Sequence, residues 1–277
     1  MRVLILGASG ILGQALMREW KGDDLVGFSS RDLDIRDENK VHEAVVKLCP
    51  DWIVLAAAYT DVDGCETNQE RAYGVNRDGA AKVAKAAKLT SANLLFLSSD
   101  YVFDGRKTTP YEIDDVRNPQ SVYGRSKAEA EMRLQELLPQ CCIARTSWLF
   151  GLGGKCFPDT ILKLAANRPV LDVVSDQRGC PTYSVDLARA IIQLCRQHAS
   201  GIVHVTNSGN CSRFEFAGAI VKEAGLATQV RPVSTAQMAR PAPRPAYSVL
   251  SSASLQRLGI PMPTWQDALR RYRQERG

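Results

Sequence analysis

The sequence contains no continuous apolar run of 18 or more residues, which excludes an ordinary membrane-spanning helix. The apolar stretch at its start is short and its glycines recur regularly, so we expect no secretory signal. No block rich in Lys and Arg is present, and the two signs of charge are interspersed, which disfavours a nucleic-acid-binding surface. The formal net charge of +5 instead favours an anionic small molecule as the ligand.

The eight cysteines and three histidines lack the spacing of a zinc site, and no C-x-x-C pair occurs. The chain of 277 residues, 45% of them hydrophobic, is also unlike a small disulfide-stabilised protein. We therefore expect free thiols, a cytoplasmic location and no metal ion. Length and composition suit one domain or two unequal lobes.

Short apolar runs alternate with amphipathic segments through the first half of the chain. We predict strands at residues 2–6, 25–28, 52–58, 94–98 and 142–145, and helices at residues 38–48, 73–89 and 126–138. Strands that are apolar throughout, separated by helices, are typical of a parallel sheet covered on both faces. The fold class is therefore α/β, a doubly wound (Rossmann) parallel sheet with a smaller C-terminal substrate-binding lobe.

The alternation weakens after residue 150, and prolines gather at residues 231–248. We assign residues 1–150 to a dinucleotide-binding Rossmann domain, to which later segments at about 180–207 return. Residues 151–277 mainly form the substrate-binding lobe, and the proline-rich segment is a predicted pocket wall.

Three glycines, Gly7, Gly10 and Gly13, form the pattern G-x-x-G-x-x-G between the first predicted strand and helix. Such glycines allow a tight turn, a close approach of backbone N–H groups to a pyrophosphate, and close packing of the helix. The alternative is a merely structural turn. The position of the glycine pattern directly after an apolar strand favours dinucleotide binding over this alternative.

The end of the second strand indicates which dinucleotide binds. Ser29, Ser30 and Arg31 stand where hydroxyls and a cation would receive a 2′-phosphate, which favours NADPH, with NADH left open. Asp34 and Ile35 follow, and we expect them to reach the adenine side. Their alternative roles are a helix-capping carboxylate and a core side chain.

A hydroxyl, a phenol and an ammonium then follow in order. Ser99 ends a predicted parallel strand, and Tyr123 and Lys127 lie four residues apart, on one face of a helix. Ser99 would hold a carbonyl oxygen, Tyr123 would protonate it, and Lys127 would lower the pKa of the phenol and bind the nicotinamide ribose. Each residue alone could be a cap or a solvated side chain. Their order after a phosphate-binding turn favours catalysis.

Together, the glycine pattern, AAAYTDVDGCE, SSDYVFDG, Y-G-x-S-K and RTSWLFG resemble the extended short-chain dehydrogenase/reductase family. The resemblance covers nearly the whole chain, because VVSDQRGCPTYSVDLARAI is similar to a substrate-lobe segment of that family. It implies NADPH-dependent reduction of the C4 ketone of a dTDP-4-dehydro-6-deoxyhexose, foremost dTDP-4-dehydro-L-rhamnose to dTDP-L-rhamnose. The alternatives are reduction of another nucleotide-linked 4-keto sugar, or an NADP-binding regulatory subunit like the methionine adenosyltransferase β subunit.

The resemblance also implies roles for individual residues. Ser99, Tyr123 and Lys127 would be catalytic, although the related sugar reductases carry threonine at the first position. The cofactor residues would be Gly7, Gly10, Ile11, Leu12 and Gly13 at the pyrophosphate, Asp34 and Ile35 at the adenine, Ala56, Ala57 and Tyr59 at the nicotinamide half, and Asn76 on the following helix. The nucleotide-sugar substrate would contact Ser99, Tyr101, Trp148, Gln177, Arg178 and Arg244.

Arginine suits diphosphate binding, and Arg231, Arg240 and Arg244 all lie in the proline-rich segment, where a solvated role is the alternative. Trp148 would stack on the sugar or base, or would be a core side chain. The expected partner is thus a nucleotide sugar, with no nucleic acid and no membrane. A homodimer is left open.

Overall fold

A computed structural model describes all of the chain, Met1–Gly277. The strands, in chain order, are β1 (Arg2–Leu6), β2 (Asp24–Phe28), β3 (Trp52–Leu55), β4 (Asn93–Ser99), β5 (Cys142–Thr146), β6 (Leu149–Phe150), β7 (Val170–Val174), β8 (Arg178–Gly179), β9 (Thr182–Tyr183), β10 (Gly201–His204), β11 (Cys211–Ser212) and β12 (Gln229–Val233). The α-helices are α1 (Ile11–Glu19), α2 (Glu38–Leu48), α3 (Val62–Thr67), α4 (Gln69–Tyr73), α5 (Ala80–Thr90), α6 (Val122–Leu137), α7 (Phe157–Ala165), α8 (Ser184–Arg196), α9 (Arg213–Glu223), α10 (Ala253–Arg257) and α11 (Trp265–Arg276). No helix is both long and apolar enough to span a membrane.

Six parallel strands form the central sheet in the order β10-β5-β4-β3-β1-β2. This confirms the predicted doubly wound α/β fold. The strand order reverses between β1 and β3, and open sheets of this kind bind ligands at the carboxyl ends of the strands beside such a reversal.

Helices cover both faces of the sheet, which explains why the central strands β1 and β3 are apolar at their buried positions. Val3 and Ile5 of β1 pack on the side covered by α1 and α8, whereas Leu4 and Leu6 pack on the side covered by α2, α5 and α6. The alternation follows from the two-residue period of a strand. The core thus continues on both sides of the sheet and fixes the strand ends that carry the site.

The second half contributes to both parts of the molecule. Helix α8 packs on α1 and strand β10 pairs with β5, so this segment belongs to the central sheet. Three two-stranded sheets (β6 with β9, β7 with β12, β8 with β11) surround a separate core rich in aromatic side chains. Phe150, Phe216 and Tyr272 are fully buried there.

Three predicted elements differ from the structure by more than one residue at an end. Strand β3 ends at Leu55, three residues early, because the next three alanines turn along a cavity. The helix predicted at residues 73–89 divides into α4, a π-helical turn (Gly74–Gly79) and α5. Helix α6 begins at Val122, where Ser121 accepts a hydrogen bond from the Gly124 N–H and caps it. The π-helical turn is of interest because such turns are frequent at functional sites.

Candidate active site

The turn between β1 and α1 leaves backbone donors free. Gly7 has φ +94°, and a Cβ there would lie 2.6 Å from the Ala57 nitrogen. A Cβ on Gly13 would lie 2.2 Å from the Gly7 carbonyl oxygen. Both positions therefore require glycine. The N–H groups of Ile11, Leu12 and Gly13 donate to no protein acceptor, which leaves a helix N-terminus suited to a pyrophosphate.

A cavity of about 330 Å³ opens beside this turn, at the reversal of the sheet. Eight predicted cofactor residues line it: Gly7, Gly10, Ser30, Asp34, Ile35, Ala56, Ala57 and Tyr59. Six further lining residues were not predicted: Ser9, Leu33, Arg36, Ala58, Arg71 and Val75. Half of the fourteen lining residues are apolar and half are polar, so the cavity offers both packing surface and hydrogen-bonding groups to a ligand.

Two arginines that the sequence analysis missed lie in this cavity. Arg36 forms a bidentate ion pair with Asp34, at 2.6 Å for the shortest contact, and its side chain lowers the pKa of the Asp34 carboxyl. The guanidinium of Arg71 lies 4.6 Å from the centre of the Tyr59 ring. Arg36 lies two residues after Asp34 in the chain, but no sequence pattern predicts that Arg36 or Arg71 lines a ligand cavity.

The predicted 2′-phosphate residues form a tight turn after β2. The Ser29 hydroxyl donates to Asp32 at 2.6 Å and accepts from the Arg31 N–H at 3.2 Å. Ser30 lines the cavity, and the Arg31 side chain is exposed without an ion pair. Arg31 is thus free to meet an anion, and its role stays a prediction.

Asn76 is buried in the π-helical turn and uses its whole amide within the protein. Its Oδ1 accepts from the Tyr59 N–H at 2.8 Å, while its Nδ2 donates to the Tyr59 carbonyl at 3.1 Å and to the Ser126 hydroxyl at 3.0 Å. Ser126 in turn donates to the Tyr123 carbonyl at 2.7 Å. Asn76 therefore joins the cavity wall to the helix of Tyr123, which suits a positioning role, and its contact with the cofactor stays a prediction.

The predicted hydroxyl and phenol come together at the carboxyl end of β4. Burial raises the pKa of the Tyr123 phenol well above its ordinary value, and the nearby Ser99 hydroxyl lowers it in part. Ser99 also donates to Asp100 Oδ1 at 2.9 Å. Burial raises the pKa of Asp100 to about 6, and its Oδ2 has no hydrogen-bond partner. Tyr123 therefore retains its proton at neutral pH, as a proton donor must.

Lys127 lies one turn after Tyr123 and is 2% exposed. Its Nζ lies 3.9 Å from the centre of the Phe96 ring and makes no hydrogen bond within the protein. Burial lowers the pKa of Lys127 to about 7, opposed by Glu131 one turn further along. The predicted effect of Lys127 on the phenol stays a prediction, since Ser99 is the group that lowers the pKa of Tyr123 here.

The predicted substrate residues have mixed surroundings. Tyr101 packs edge to face on Tyr123, with ring centres 5.6 Å apart. Gln177 donates to the Thr235 hydroxyl at 3.0 Å. Arg178 donates to Asn210 and to Glu215, at 2.5 and 3.1 Å.

The arginines of the proline-rich segment are all paired with carboxylates. Arg231 contacts Asp172 at 2.9 Å, on the edge strand β12. Arg244 contacts Asp63 at 3.0 Å, and Arg240 reaches the same carboxylate at 3.6 Å. Asp63 thereby ties this segment to α3.

Trp148 has an unusual backbone. Its φ is +46°, which is rare for a bulky residue and is found mainly where the surroundings impose it. The guanidinium of Arg213 covers its indole at 3.6 Å. Sequence reasoning missed Arg213, because nothing in the pattern around it marks a contact with a residue so distant in the chain.

Comparisons with known proteins agree with this arrangement. Residues 1–276 match the family described as the RmlD substrate binding domain. The spore coat polysaccharide biosynthesis protein SpsK of Bacillus subtilis is 43% identical, covering 99% of this chain and 98% of that protein. The dTDP-4-dehydrorhamnose reductase of Mycobacterium tuberculosis is 41% identical, covering 97% of this chain and 91% of that protein. The crystal structure of dTDP-4-dehydrorhamnose reductase from Bacillus anthracis in complex with NADP is 39% identical, with a TM-score of 0.96 over 99% of both chains.

Proposed function

The chain belongs to the RmlD substrate binding domain family, and we propose that its substrate is dTDP-4-dehydro-L-rhamnose, which it reduces to dTDP-L-rhamnose. It is an oxidoreductase of the extended short-chain dehydrogenase/reductase type that uses NADPH on the keto group of a dTDP-linked sugar. The observation that supports the reaction best is the grouping of buried Ser99, half-buried Tyr123 and the unpartnered ammonium of Lys127 at the carboxyl end of β4.

The residues present fit NADPH. The free N–H groups of Ile11, Leu12 and Gly13 would hold its pyrophosphate, and the cavity would hold its adenosine half. Lys127, which has no partner in the protein, would bind the hydroxyls of the nicotinamide ribose. Arg31 and Ser30 would meet the 2′-phosphate.

NADPH, when bound, supplies the hydride that C4 of the sugar accepts. The Ser99 hydroxyl, which donates to Asp100 Oδ1 in the structure, would turn its one donor to the carbonyl oxygen when substrate binds and fix the position of that oxygen. Tyr123 then donates its phenolic proton to that oxygen, so that the ketone becomes a secondary alcohol. The Lys127 ammonium, one turn further along the helix, stabilises the phenolate left behind.

The test is turnover on a panel of substrates. The purified protein should oxidise NADPH with dTDP-4-dehydro-L-rhamnose, followed by the loss of NADPH absorbance and by identification of the alcohol. Faster turnover of another nucleotide-linked 4-keto sugar would replace the proposed substrate. Tight NADPH binding without turnover of any ketosugar would favour the alternative of a regulatory subunit.

We also propose a cytoplasmic location. All eight cysteines are free thiols, which suits a reducing compartment. The oligomeric state stays open, and the reaction as proposed needs the residues of one chain only.

A further inference from the structure

One buried carboxylate on α6 takes no part in the reaction as proposed. Glu131 is 0% exposed and lies four residues after Lys127 and eight after Tyr123. Residues four apart lie on one face of a helix, so the three side chains follow one another along α6. Burial opposes ionisation of Glu131, but hydrogen bonds, foremost from Arg145, lower the pKa of its carboxyl below the ordinary value. Glu131 is therefore a charged group inside the protein.

The Glu131 carboxylate connects α6 to three other parts of the chain. Its Oε1 accepts from the Ser98 hydroxyl at 2.5 Å and from Arg145 Nε at 2.9 Å. Its Oε2 accepts from a second nitrogen of Arg145 at 2.7 Å and from Arg117 at 3.0 Å. Ser98 belongs to β4, Arg145 to β5, and Arg117 to the segment that leads into α6. Both carboxylate oxygens are thus fully used, and their donors come from separate elements.

These contacts lie beside the reacting groups. Ser98 directly precedes Ser99, and it is paired with Arg145 across β4 and β5. Lys127 packs on the Phe96 ring of the same strand without a hydrogen bond of its own, so that contact has little directional preference. The hydrogen bond of Glu131 to Ser98 is directional, and it fixes how far α6 lies along β4.

Stability alone does not account for a buried ion pair at this place. Removing two charges from water costs about as much as their attraction recovers, and a well-packed apolar pair is often at least as stable. A buried polar network whose members are all bonded does favour one arrangement of the elements that it joins. A fixed arrangement matters beside a reaction, because a displacement of about 1 Å can lower a rate by about 100-fold.

We propose that Glu131 is a positioning residue for the reduction, which anchors α6 on β4 and β5 so that the phenol and the ammonium of this helix meet the substrate carbonyl. The inference rests on the proposed function, since a positioning residue acts only through the reaction that it serves. None of the residues that line the cofactor cavity belongs to α6, β4 or β5. Loss of Glu131 should therefore lower kcat far more than it raises the KM for NADPH.

The test compares two buried carboxylates. Steady-state kinetics are measured on the full chain with NADPH and the ketosugar that it turns over, for wild type, Glu131→Gln and Asp186→Asn. Asp186 is the matched control, because it is 4% exposed and accepts two hydrogen bonds from Arg271, at 2.9 and 2.7 Å, and one from Asn207, at 2.7 Å. None of these three residues lies on α6, β4 or β5.

Each substitution removes one buried charge, and the assays are run below the melting temperature of the less stable variant. Glu131→Gln should lower kcat by about tenfold or more and change the KM for NADPH by less than about threefold. Asp186→Asn should leave both constants close to wild type. A kcat of Glu131→Gln within about twofold of wild type would overturn the inference. An equal loss of kcat in Asp186→Asn would also overturn it, because the loss would then follow from lower stability.

If Glu131→Gln fails to fold, the double variant Glu131→Met with Arg145→Met decides in its place. It removes both charges of the pair, so that neither is left buried without a partner. Its kcat should also fall by about tenfold or more, and a wild-type kcat in this folded variant would overturn the inference.

The two proposals fail in different ways. Dependence of kcat on Glu131 with another nucleotide-linked 4-keto sugar would replace the proposed substrate and keep this inference. Reduction of dTDP-4-dehydro-L-rhamnose by Glu131→Gln at the wild-type rate would remove this inference alone. Absence of turnover of every ketosugar by wild type would remove both.

Discussion

Replacing Gly13 by alanine should damage both the fold and NADPH binding. The new Cβ would lie 2.2 Å from the Gly7 carbonyl oxygen and 2.6 Å from the Ala8 Cα, whereas real Cβ atoms essentially never approach closer than 3.0 Å. Both neighbours are backbone, so the turn itself must move. Overpacking of this kind costs about 1 to 3 kcal/mol. At about 2 to 4 °C per kcal/mol, the melting temperature should fall by about 2 to 12 °C.

Substitutions at two other glycines test the stability of the fold and the binding of NADPH separately. Gly10 lines the cavity, and its Cβ would lie 3.4 Å from the Gly7 oxygen, an ordinary contact. Gly10→Ala should therefore melt close to wild type while NADPH affinity falls by about tenfold, because the methyl group meets the pyrophosphate. Gly218, on α9, has no atom within 4 Å of its Cβ position. Gly218→Ala should be neutral or more stable by up to about 1 kcal/mol, with unchanged NADPH binding.

The assay is thermal unfolding followed by circular dichroism, together with fluorescence titration of NADPH on the same samples. The reasoning is refuted if Gly13→Ala melts and binds NADPH like wild type. It is also refuted if Gly10→Ala leaves NADPH affinity unchanged, because the turn would then not contact the cofactor.

Three further changes test other parts of the site. Asn76→Ala removes the three hydrogen bonds that the buried Asn76 amide makes with Tyr59 and Ser126. It should lower the free energy of unfolding by about 1 to 3 kcal/mol and raise the KM for NADPH, and a wild-type KM would contradict its positioning role. Lys127→Met should abolish turnover yet be more stable than wild type at pH 7 by up to a few kcal/mol, because the pKa of Lys127 is lowered to about 7 in the folded state. In urea unfolding, this gain in stability should shrink as pH rises from 7 towards 10.5, where the lysine is also neutral in the unfolded chain. A gain that stays constant with pH would contradict the prediction. In steady-state kinetics, Arg31→Ala should raise the KM for NADPH by about tenfold and leave the KM for NADH unchanged. An equal rise of both KM values would exclude a contact of Arg31 with the 2′-phosphate.

The sheet could be predicted from sequence because its cause is local. A strand buried on both faces is apolar where it is covered, and β3 (Trp52–Leu55) and residues 3–6 of β1 show this as a short run. The glycine turn is local in the same sense, since Gly7 and Gly13 meet within seven residues. The order of Ser99, Tyr123 and Lys127 could be interpreted because a parallel sheet brings strand ends to one edge.

Features that depend on distant partners could not be predicted. The π-helical turn places Asn76 against Tyr59 and Ser126, 17 and 50 residues away, and no helical period encodes this. Arg213 likewise meets Trp148 only through folding of the second lobe. Arg178 matched a family segment, yet its side chain is engaged by Asn210 and Glu215. Contacts of this kind are set by tertiary packing.

The most direct measurement is the rate of NADPH oxidation by Tyr123→Phe with dTDP-4-dehydro-L-rhamnose, alongside NADPH affinity. The ring keeps its packing on Tyr101 but loses the proton, so turnover should fall at least about 100-fold with wild-type cofactor affinity. Tyr73→Phe is the matched control, because this nearby phenol makes no hydrogen bond and should tolerate the change. Turnover of Tyr123→Phe within a few-fold of wild type would contradict the role of Tyr123 as the proton donor.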